Sequence, residues 1–393
     1  MRLRLSAIIK PSTVPARLAF ALLAVLVLTR TTASVPAGAA DVTPIVTLAP
    51  GLRLEVVARG LSAPRAIAPL SADQAYVTLF SWTKSSGSLV RLTRSGGVWK
   101  ATTVLRKLDR PGGLALGPDA KLYLGEVGRI SRFDLSKPAF VRETVITDLP
   151  GKGLHPLASF VFTPAGDLIV NTGSSTNNCE ARKGKATCPE VEGRTGSAGL
   201  RAYHFAWPAG SVTGWDRLAQ GLRNSMALAV HPSGTIVEVD NGRDAIDEAD
   251  PKLSDEQLPH DELNVITPGK NYGWPYCFDD RRNSPEFPTY NCSATTAPQM
   301  LLPAHAAPLG MAYWNGTLVI GYHGYRDTGH RVVAFPVDAQ GIPSGPGTEL
   351  IGGWTEKPGQ ELGGPVGVVA AADGSLWVSD DRNGIVLRLT RTS

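Results

Sequence analysis

Six times between residues 65 and 378 the chain repeats one short pattern: an apolar run, a turn of the Pro-x-Gly kind, and a second apolar run. Residues 111–125, PGGLALGPDAKLYLG, give it in full. It returns at Phe160–Phe162 with Leu168–Val170, at Leu228–Val230 with Ile236–Val237, at Met311–Tyr313 with Leu318–Ile320, and at Val366–Ala370 with Leu376–Val378. A weaker copy, Arg65–Ile67 with Ala75–Val77, opens the series. A hairpin that cannot bury both faces alone must stack on its neighbours, and a radial stack leaves only short sheet edges exposed. The repeat therefore predicts an all-β fold, a six-bladed β-propeller, with copies one to three spaced at about 46 residues, near a known propeller period. A β-sandwich with repeated hairpins is the structural rival. Doubly wound α/β folds are disfavoured, because no segment sustains a 3.6-residue apolar period. The 42 Gly and 30 Pro, with only 19% charged residues, suit many short strands joined by tight turns. Two stretches break the spacing, roughly 174–199 and 245–305, and are expected to be loop insertions that leave the same rim.

Residues 1–40 read as an export signal. Arg2, Arg4, Lys10 and Arg17 precede the apolar run Leu18–Leu28, and Ala37-Gly38-Ala39 supplies a cleavage site. Eleven apolar residues fall short of the ~20 that a spanning helix needs, and no later stretch has both the length and the apolarity. The segment 1–40 holds five Arg/Lys and no acid, so without it the net charge of +4 becomes −1. The basic balance belongs to the signal, and nothing in the remainder recommends nucleic acid. Residues 41–393 are expected to form one exported domain, periplasmic or secreted, with no membrane span.

Four cysteines fall in two local pairs, Cys179 with Cys188 and Cys277 with Cys292, one pair in each insertion. Export into an oxidising compartment permits two disulfides; three connectivities exist, and the local one is expected. Closing a loop of about fifteen residues contributes roughly 3 kcal/mol in the chain-entropy model. A zinc site is the rival reading, but neither pair has C-x-x-C spacing or a histidine at ligand distance in sequence.

Gly221-Leu222-Arg223-Asn224 precedes the fourth copy, and Asp240-Asn241-Gly242-Arg243-Asp244, Asp261-Glu262-Leu263-Asn264 and Asn271-Tyr272-Gly273-Trp274-Pro275 follow in that order. This succession resembles the glucose/sorbosone dehydrogenase family from about residue 50 to the C-terminus. Ala307-Pro308-Leu309-Gly310 and the closing Pro365-Val366-Gly367 to Asp380-Asp381 are similar to its sorbosone-dehydrogenase branch. The resemblance implies oxidation of an aldose or sorbosone-type sugar with pyrroloquinoline quinone (PQQ) and calcium, and an external electron acceptor. PQQ carries several carboxylates and an electrophilic quinone, so its site needs cations, a metal and a base. By resemblance His155 is that base, taking the proton from the sugar C1 hydroxyl as hydride passes to the quinone. Arg223 and Asn224 match the pair that lies against the cofactor, with His305, His323, Arg326 and Asp381 as further cofactor positions. The main-chain carbonyls of Gly242 and Arg243, with Asp240 beside them, stand where relatives hold calcium.

The chain also departs from the family. Gly364 stands before Pro365, where relatives commonly present an arginine, Ala158 replaces an arginine, and His323-Gly324-Tyr325-Arg326-Asp327 replaces HGSWNR. Arg326 is the candidate replacement cation. Two other readings stay open. One is a metal-dependent propeller lactonase, with Glu126, Asp240, Asn241 and Asp381 converging on a cation. The other is a non-catalytic propeller that has lost PQQ.

Overall fold

The computed structural model describes residues 46–182, 185, 187–354 and 362–392; the expected export segment lies outside them. Alternating apolar strands pair in register into six antiparallel sheets of at least four strands each, and the fold is a six-bladed β-propeller. The repeat found in the sequence is the inner pair of strands of each blade. Blade one is Pro64–Ser71, Gln74–Leu79, Gly87–Ser95 and Val98–Leu108, and blade two is Leu114–Leu116, Leu122–Glu126, Arg129–Phe133 and Glu143–Ile146. Blade three is Phe160–Phe162, Leu168–Thr172, Gly199–Ala206 and Ser211–Gln220, and blade four is Ser225–Val230, Ile236–Asp240, Asp261–Val265 and Met300–Leu302. Blade five runs through Pro308–Trp314, Thr317–Tyr322, Arg331–Pro336 and Thr348–Gly352, and blade six through Pro365–Ala370, Leu376–Asp380 and Ile385–Arg391. The outer strand of blade six comes from the other end of the described chain: Leu52–Ala58 pairs antiparallel with Ile385–Arg391 and closes the ring.

Each interface between neighbouring blades carries its own apolar cluster, so the core is a ring of six wedges. The wedge at the closure holds Val57 and Ala58 against Val77, Leu92, Trp99 and Trp377. There the Trp99 and Trp377 rings meet edge to face at 5.8 Å. Glu55 on the closing strand accepts from Trp99 Nε1 at 2.9 Å and from Arg388 at 3.1 Å. Towards the axis the inner strands run so close that a side chain has no room at two glycines within them. A Cβ on Gly310 would stand 2.1 Å from the Val366 carbonyl oxygen, and one on Gly367 would stand 2.4 Å from that of Arg65. The inner strands enclose an apolar axial cavity of about 520 Å³.

Successive strands reverse direction, so the Pro-x-Gly turns share one rim, and the links from second to third strand and from blade to blade share the other. Residues 173–198 and 241–260 both leave from this second rim. The stretch 245–305, expected as one insertion, is two, because Asp261–Val265 is the third strand of blade four. Its second part starts from the turn rim, and Lys270–Asn271 then pairs parallel with Ala219–Gln220, which carries the chain back to the upper rim. There the two insertions share a small core of Cys179, Cys188, Val191, Trp274, Tyr276, Cys277, Phe287 and Cys292. The disulfides are Cys179–Cys188 and Cys277–Cys292, the local pairing expected.

Trp377 is fully buried at the closing wedge. Trp377→Ala is expected to lower stability by about 3–5 kcal/mol in denaturant unfolding, the cost of emptying a core site of that size. A loss under about 1 kcal/mol would mean that the wedge does not hold the ring.

Candidate active site

The upper rim is where strand ends and insertions bring polar side chains together, at the mouth of a cavity of about 360 Å³. His155, Arg223, Asn224, Asn241, Gly242, Asp244, Asp261, His305, Tyr325 and Arg326 line it. Five residues expected from the sequence to carry chemistry, His155, Arg223, Asn224, His305 and Arg326, thus share one cavity although they span 171 residues of chain.

His155 precedes the inner strand of blade three, and its Nδ1 is 3.0 Å from the Ser174 carbonyl oxygen and 2.9 Å from the Ser174 hydroxyl. That hydroxyl donates to the Thr176 carbonyl at 2.6 Å, so Nδ1–H is the donor to Ser174. The tautomer leaves the Nε2 lone pair free. Burial, joined by the positive charge of Arg223, pushes the imidazole down to about 3, so the ring stays neutral.

Arg223 is buried, and all five of its guanidinium N–H groups have protein acceptors. Nε donates to the Asn177 carbonyl at 3.1 Å, and Nη1 to the carbonyls of Asn241 at 3.2 Å and Gly242 at 2.9 Å. Nη2 donates to Asn177 Oδ1 at 2.8 Å and Asp244 Oδ2 at 2.9 Å. The backbone around it is equally fixed, because Asp240 accepts from the amides of Arg223 at 2.8 Å and Asn224 at 2.6 Å. Arg223 therefore offers a ligand its charge and its flat face, with no N–H to spare. The Asn224 side-chain amide has no hydrogen-bond partner among the described residues. The Gly242 carbonyl, expected to face calcium, accepts from Arg223.

On the opposite wall Arg326 donates to the Asp255 carbonyl at 2.5 Å and carboxylate at 2.6 Å and pairs with Glu256 at 3.1 Å. Its Nε and one Nη2 proton have no partner among the described residues. His305 Nε2 lies 2.6 Å from the same Asp255 carbonyl. Asp255 thus anchors both Arg326 and His305 through one loop.

His323 and Asp381 do not line the cavity. Asp381 bridges His323 Nε2 at 2.9 Å and Arg65 at 3.1 Å, and Arg65 lies 3.9 Å over the Phe80 ring. Burial lowers the affinity of His323 for a proton despite that carboxylate. These residues support Tyr325, whose ring meets His323 at 5.8 Å and is itself 83% exposed at the cavity mouth. A Cβ at position 364 would lie 2.8 Å from Asp381 Oδ1 and 2.9 Å from Arg382 Cγ, so a side chain there would have to push those two side chains aside. Arg382 takes that space, with its guanidinium 4.2 Å from the Tyr325 ring centre. The carboxylates of the lactonase reading do not converge. Glu126 is bonded to Arg129 and Arg142 in blade two, and no metal-binding group of side chains among the described residues contains Glu126, Asp240 or Asp381.

Sequence reasoning missed Ser174, Asp255, Asp261 and Arg382. Only Asp261 lay in a quoted motif; the others act through contacts that no spacing reveals. Asp261 accepts from the amides of Gly242 at 2.8 Å and Ala307 at 2.6 Å, tying blade four to blade five beneath the cavity.

The model of the TrAA12-like family matches residues 46–392. A curated relative from Borreliella burgdorferi, an uncharacterized protein, is 27% identical over 241 residues, 56% of this chain. The chain spans only 56% of that relative's length. Among solved structures, the Trichoderma reesei member of Carbohydrate-Active Enzymes family AA12, in its iodide and calcium structures, superposes with TM-scores of 0.72 and 0.70 at 21% identity. These cover 90% of this chain and 100% and 99% of theirs. The holo form of the pyranose dehydrogenase PQQ domain from Coprinopsis cinerea superposes at 0.66 with 20% identity, over 88% of this chain and 97% of that one.

With Nδ1–H bound to Ser174 and the ring held below its ordinary 6.5, His155 should show the neutral Nδ1–H tautomer at pH 5 in nitrogen-detected NMR. A folded value below the unfolded one gives stability that is complete above about pH 6.5 and is lost progressively as the pH falls towards 3. Replacing His155 by Asn should therefore flatten the acid limb of the stability curve in that window, and a His155 resonance titrating near 6.5 would contradict the geometry.

Proposed function

This chain belongs to the TrAA12-like family, and from that premise we propose that it is an oxidoreductase that oxidises an aldose or sorbosone-type sugar at C1 with PQQ. The observation that carries the reading is a neutral histidine base, aimed by a main-chain carbonyl, on the wall of a cavity whose other walls hold Arg223 and Arg326. The residues fit the cofactor. A volume of about 360 Å³ is within the range of small-molecule sites. Arg223 would lie against the ring system with its planar face, and Asn224 would turn its unpartnered amide to a quinone oxygen. Arg326 would give its free N–H groups to a carboxylate, with His305 and Tyr325 completing the wall.

Bound there, PQQ supplies the two-electron acceptor for hydride from the sugar carbon. Everything else falls to the protein. His155 Nε2 takes the hydroxyl proton, and the Ser174 carbonyl accepts a stronger hydrogen bond from Nδ1–H as the ring becomes charged. Burial is the larger cause of the low basicity of His155, and carboxylates entering the cavity would offset only the smaller one, the charge of Arg223. His323 and Asp381 would act on the cofactor only through Tyr325. The main-chain oxygens of Gly242 and Arg243 would hold calcium; the Gly242 oxygen accepts from Arg223 at 2.9 Å and keeps a second lone pair for the ion. The disulfides accord with an exported protein, and no helix among the described residues is long and apolar enough to cross a membrane.

The test is a PQQ titration of the purified apoprotein followed by dye reduction with a panel of aldoses and sorbosone. His155→Ala should cut turnover by ~10²–10⁴ while PQQ still saturates the protein. Arg223→Ala should instead weaken PQQ by about 30-fold or more, with turnover recoverable at high cofactor. A parent protein with no saturable PQQ binding would overturn the reading in favour of a propeller that has lost its cofactor.

A further inference from the structure

A groove of about 460 Å³, open to solvent, runs along the outer strands of blade three, between the link from blade two and the first insertion. Arg201 and Trp215 line it from the third and fourth strands of that blade. It shares no lining residue with the rim cavity. We propose that it binds a sugar acid, with the carboxylate on the edge of the Arg201 guanidinium and the ring against Leu149, Pro150 and Pro189. The site does not depend on the redox reading of the rim cavity, and it takes its ligand without PQQ.

Two independent observations support it. Arg201 is only 4% exposed, and its protein partners satisfy one end of the guanidinium alone. Nη1 donates to the Asp148 carbonyl at 2.9 Å and reaches the Tyr203 hydroxyl at 3.4 Å. Nε is buried with no partner among the described residues, and Nη2 has none there either. These two N–H groups share one edge of the fork and are spaced for the two oxygens of a carboxylate. The second observation is charge. Arg201 and Arg217 are directly opposed on neighbouring strands, a pairing of like charges that costs stability. Burial, joined by the Arg201 charge, loosens the hold of Arg217 on its proton. Arg194 brings a third cation: its guanidinium and that of Arg201 lie 4.2 and 4.3 Å from the centre of the Trp215 ring. Stacking of this kind uses the face of Arg201 and leaves its edge for hydrogen bonds. The acids nearby are engaged elsewhere. Asp148 accepts from the Tyr203 hydroxyl at 2.9 Å and stands 3.8 Å from Arg201, beyond hydrogen-bond reach. Glu190 accepts from the amides of Ser175 and Thr176 and from the Thr176 hydroxyl, and Glu192 from the Tyr276 hydroxyl.

The walls select the ligand. A groove of this size is in the range of small-molecule sites, and a lone inorganic ion would leave most of it unfilled. Leu149, Pro150 and Pro189 give it apolar surface, and the hydroxyls of Thr195 and Ser197, which have no partner among the described residues, give it polar contacts. That mixture suits a sugar ring, with its apolar faces and its rim of hydroxyls. Asp148 and Glu190 on the walls disfavour a doubly charged anion, so a single carboxylate is favoured over sulfate or a phosphate ester.

The experiment titrates the full exported chain, free of PQQ, with D-glucuronate in a calorimeter at low ionic strength. One glucuronate should bind per chain, more weakly as salt is added. D-glucose, which lacks the carboxylate, and inorganic sulfate should each bind at least tenfold more weakly, by loss of a charge-assisted contact and by repulsion. Arg201→Gln should weaken glucuronate by about tenfold or more. Should that variant fail to fold, Thr195→Asp, an exposed change that adds a negative charge to the wall, should weaken it by about threefold or more. Arg326→Ala, on the rim cavity, should leave the affinity for glucuronate where it is. A parent that binds no glucuronate would overturn the proposal, as would sulfate or glucose binding as tightly. Loss of binding in Arg326→Ala, with both groove variants unchanged, would place the acid in the rim cavity and overturn it equally.

Discussion

A propeller ring has to close, and here it closes by pairing Leu52–Ala58 with Ile385–Arg391, strands from opposite ends of the described chain. Six wedges of apolar side chains press the blades together, but none resists the opening of the ring unless the last is sealed. Trp99, Trp377 and Glu55 make that seal. Because the ring is closed, the strand ends on the upper rim stand at set distances around one axis. His155 on blade three, Arg223 between blades three and four, and Arg326 on blade five can then share a cavity without touching in sequence.

Within that frame Arg223 organises the site. Its five N–H groups reach Asn177 in the first insertion and Asn241, Gly242 and Asp244 in the second, so one side chain couples both insertions to the blade that carries it. Removing a buried cation from such a network would leave several acceptors without donors, which is why its geometry is better determined than that of an ordinary surface arginine. Burial, joined by the same charge, depresses His155. Base and cation are therefore coupled, and an anionic ligand changes both at once.

The fold was largely legible. Six apolar hairpins with tight Gly or acidic turns cannot each bury two faces alone, and the inner strand pairs lie where the pattern puts them. What the pattern missed was the closing strand, since Leu52–Ala58 is not part of any hairpin, and the true shape of 245–305. There Asp261–Val265 carries two acids and an asparagine, so a fully buried strand does not look apolar. The candidate site was legible as a set of residue types. Its connections were not. Gly364 read as a missing charge, yet the space beside it is filled by Arg382 from a different turn, and no spacing showed that the Gly242 carbonyl also receives a guanidinium.

Local physical chemistry determined what sequence alone could reach: the hairpins, the turn glycines, the two short disulfide loops, and the residues whose types match the family's motifs. Those properties depend on neighbours a few positions apart, and the chain writes them down directly. Tertiary structure decided which side chains are spent on one another and which are left for a ligand. His155 is held as a neutral base by burial, with the Arg223 charge beside it, and is aimed by Ser174, while Asp381 is spent on Arg65 and His323 away from the cavity. Such outcomes depend on burial and on the pairing of charges across blades, and burial exists only once the ring has closed.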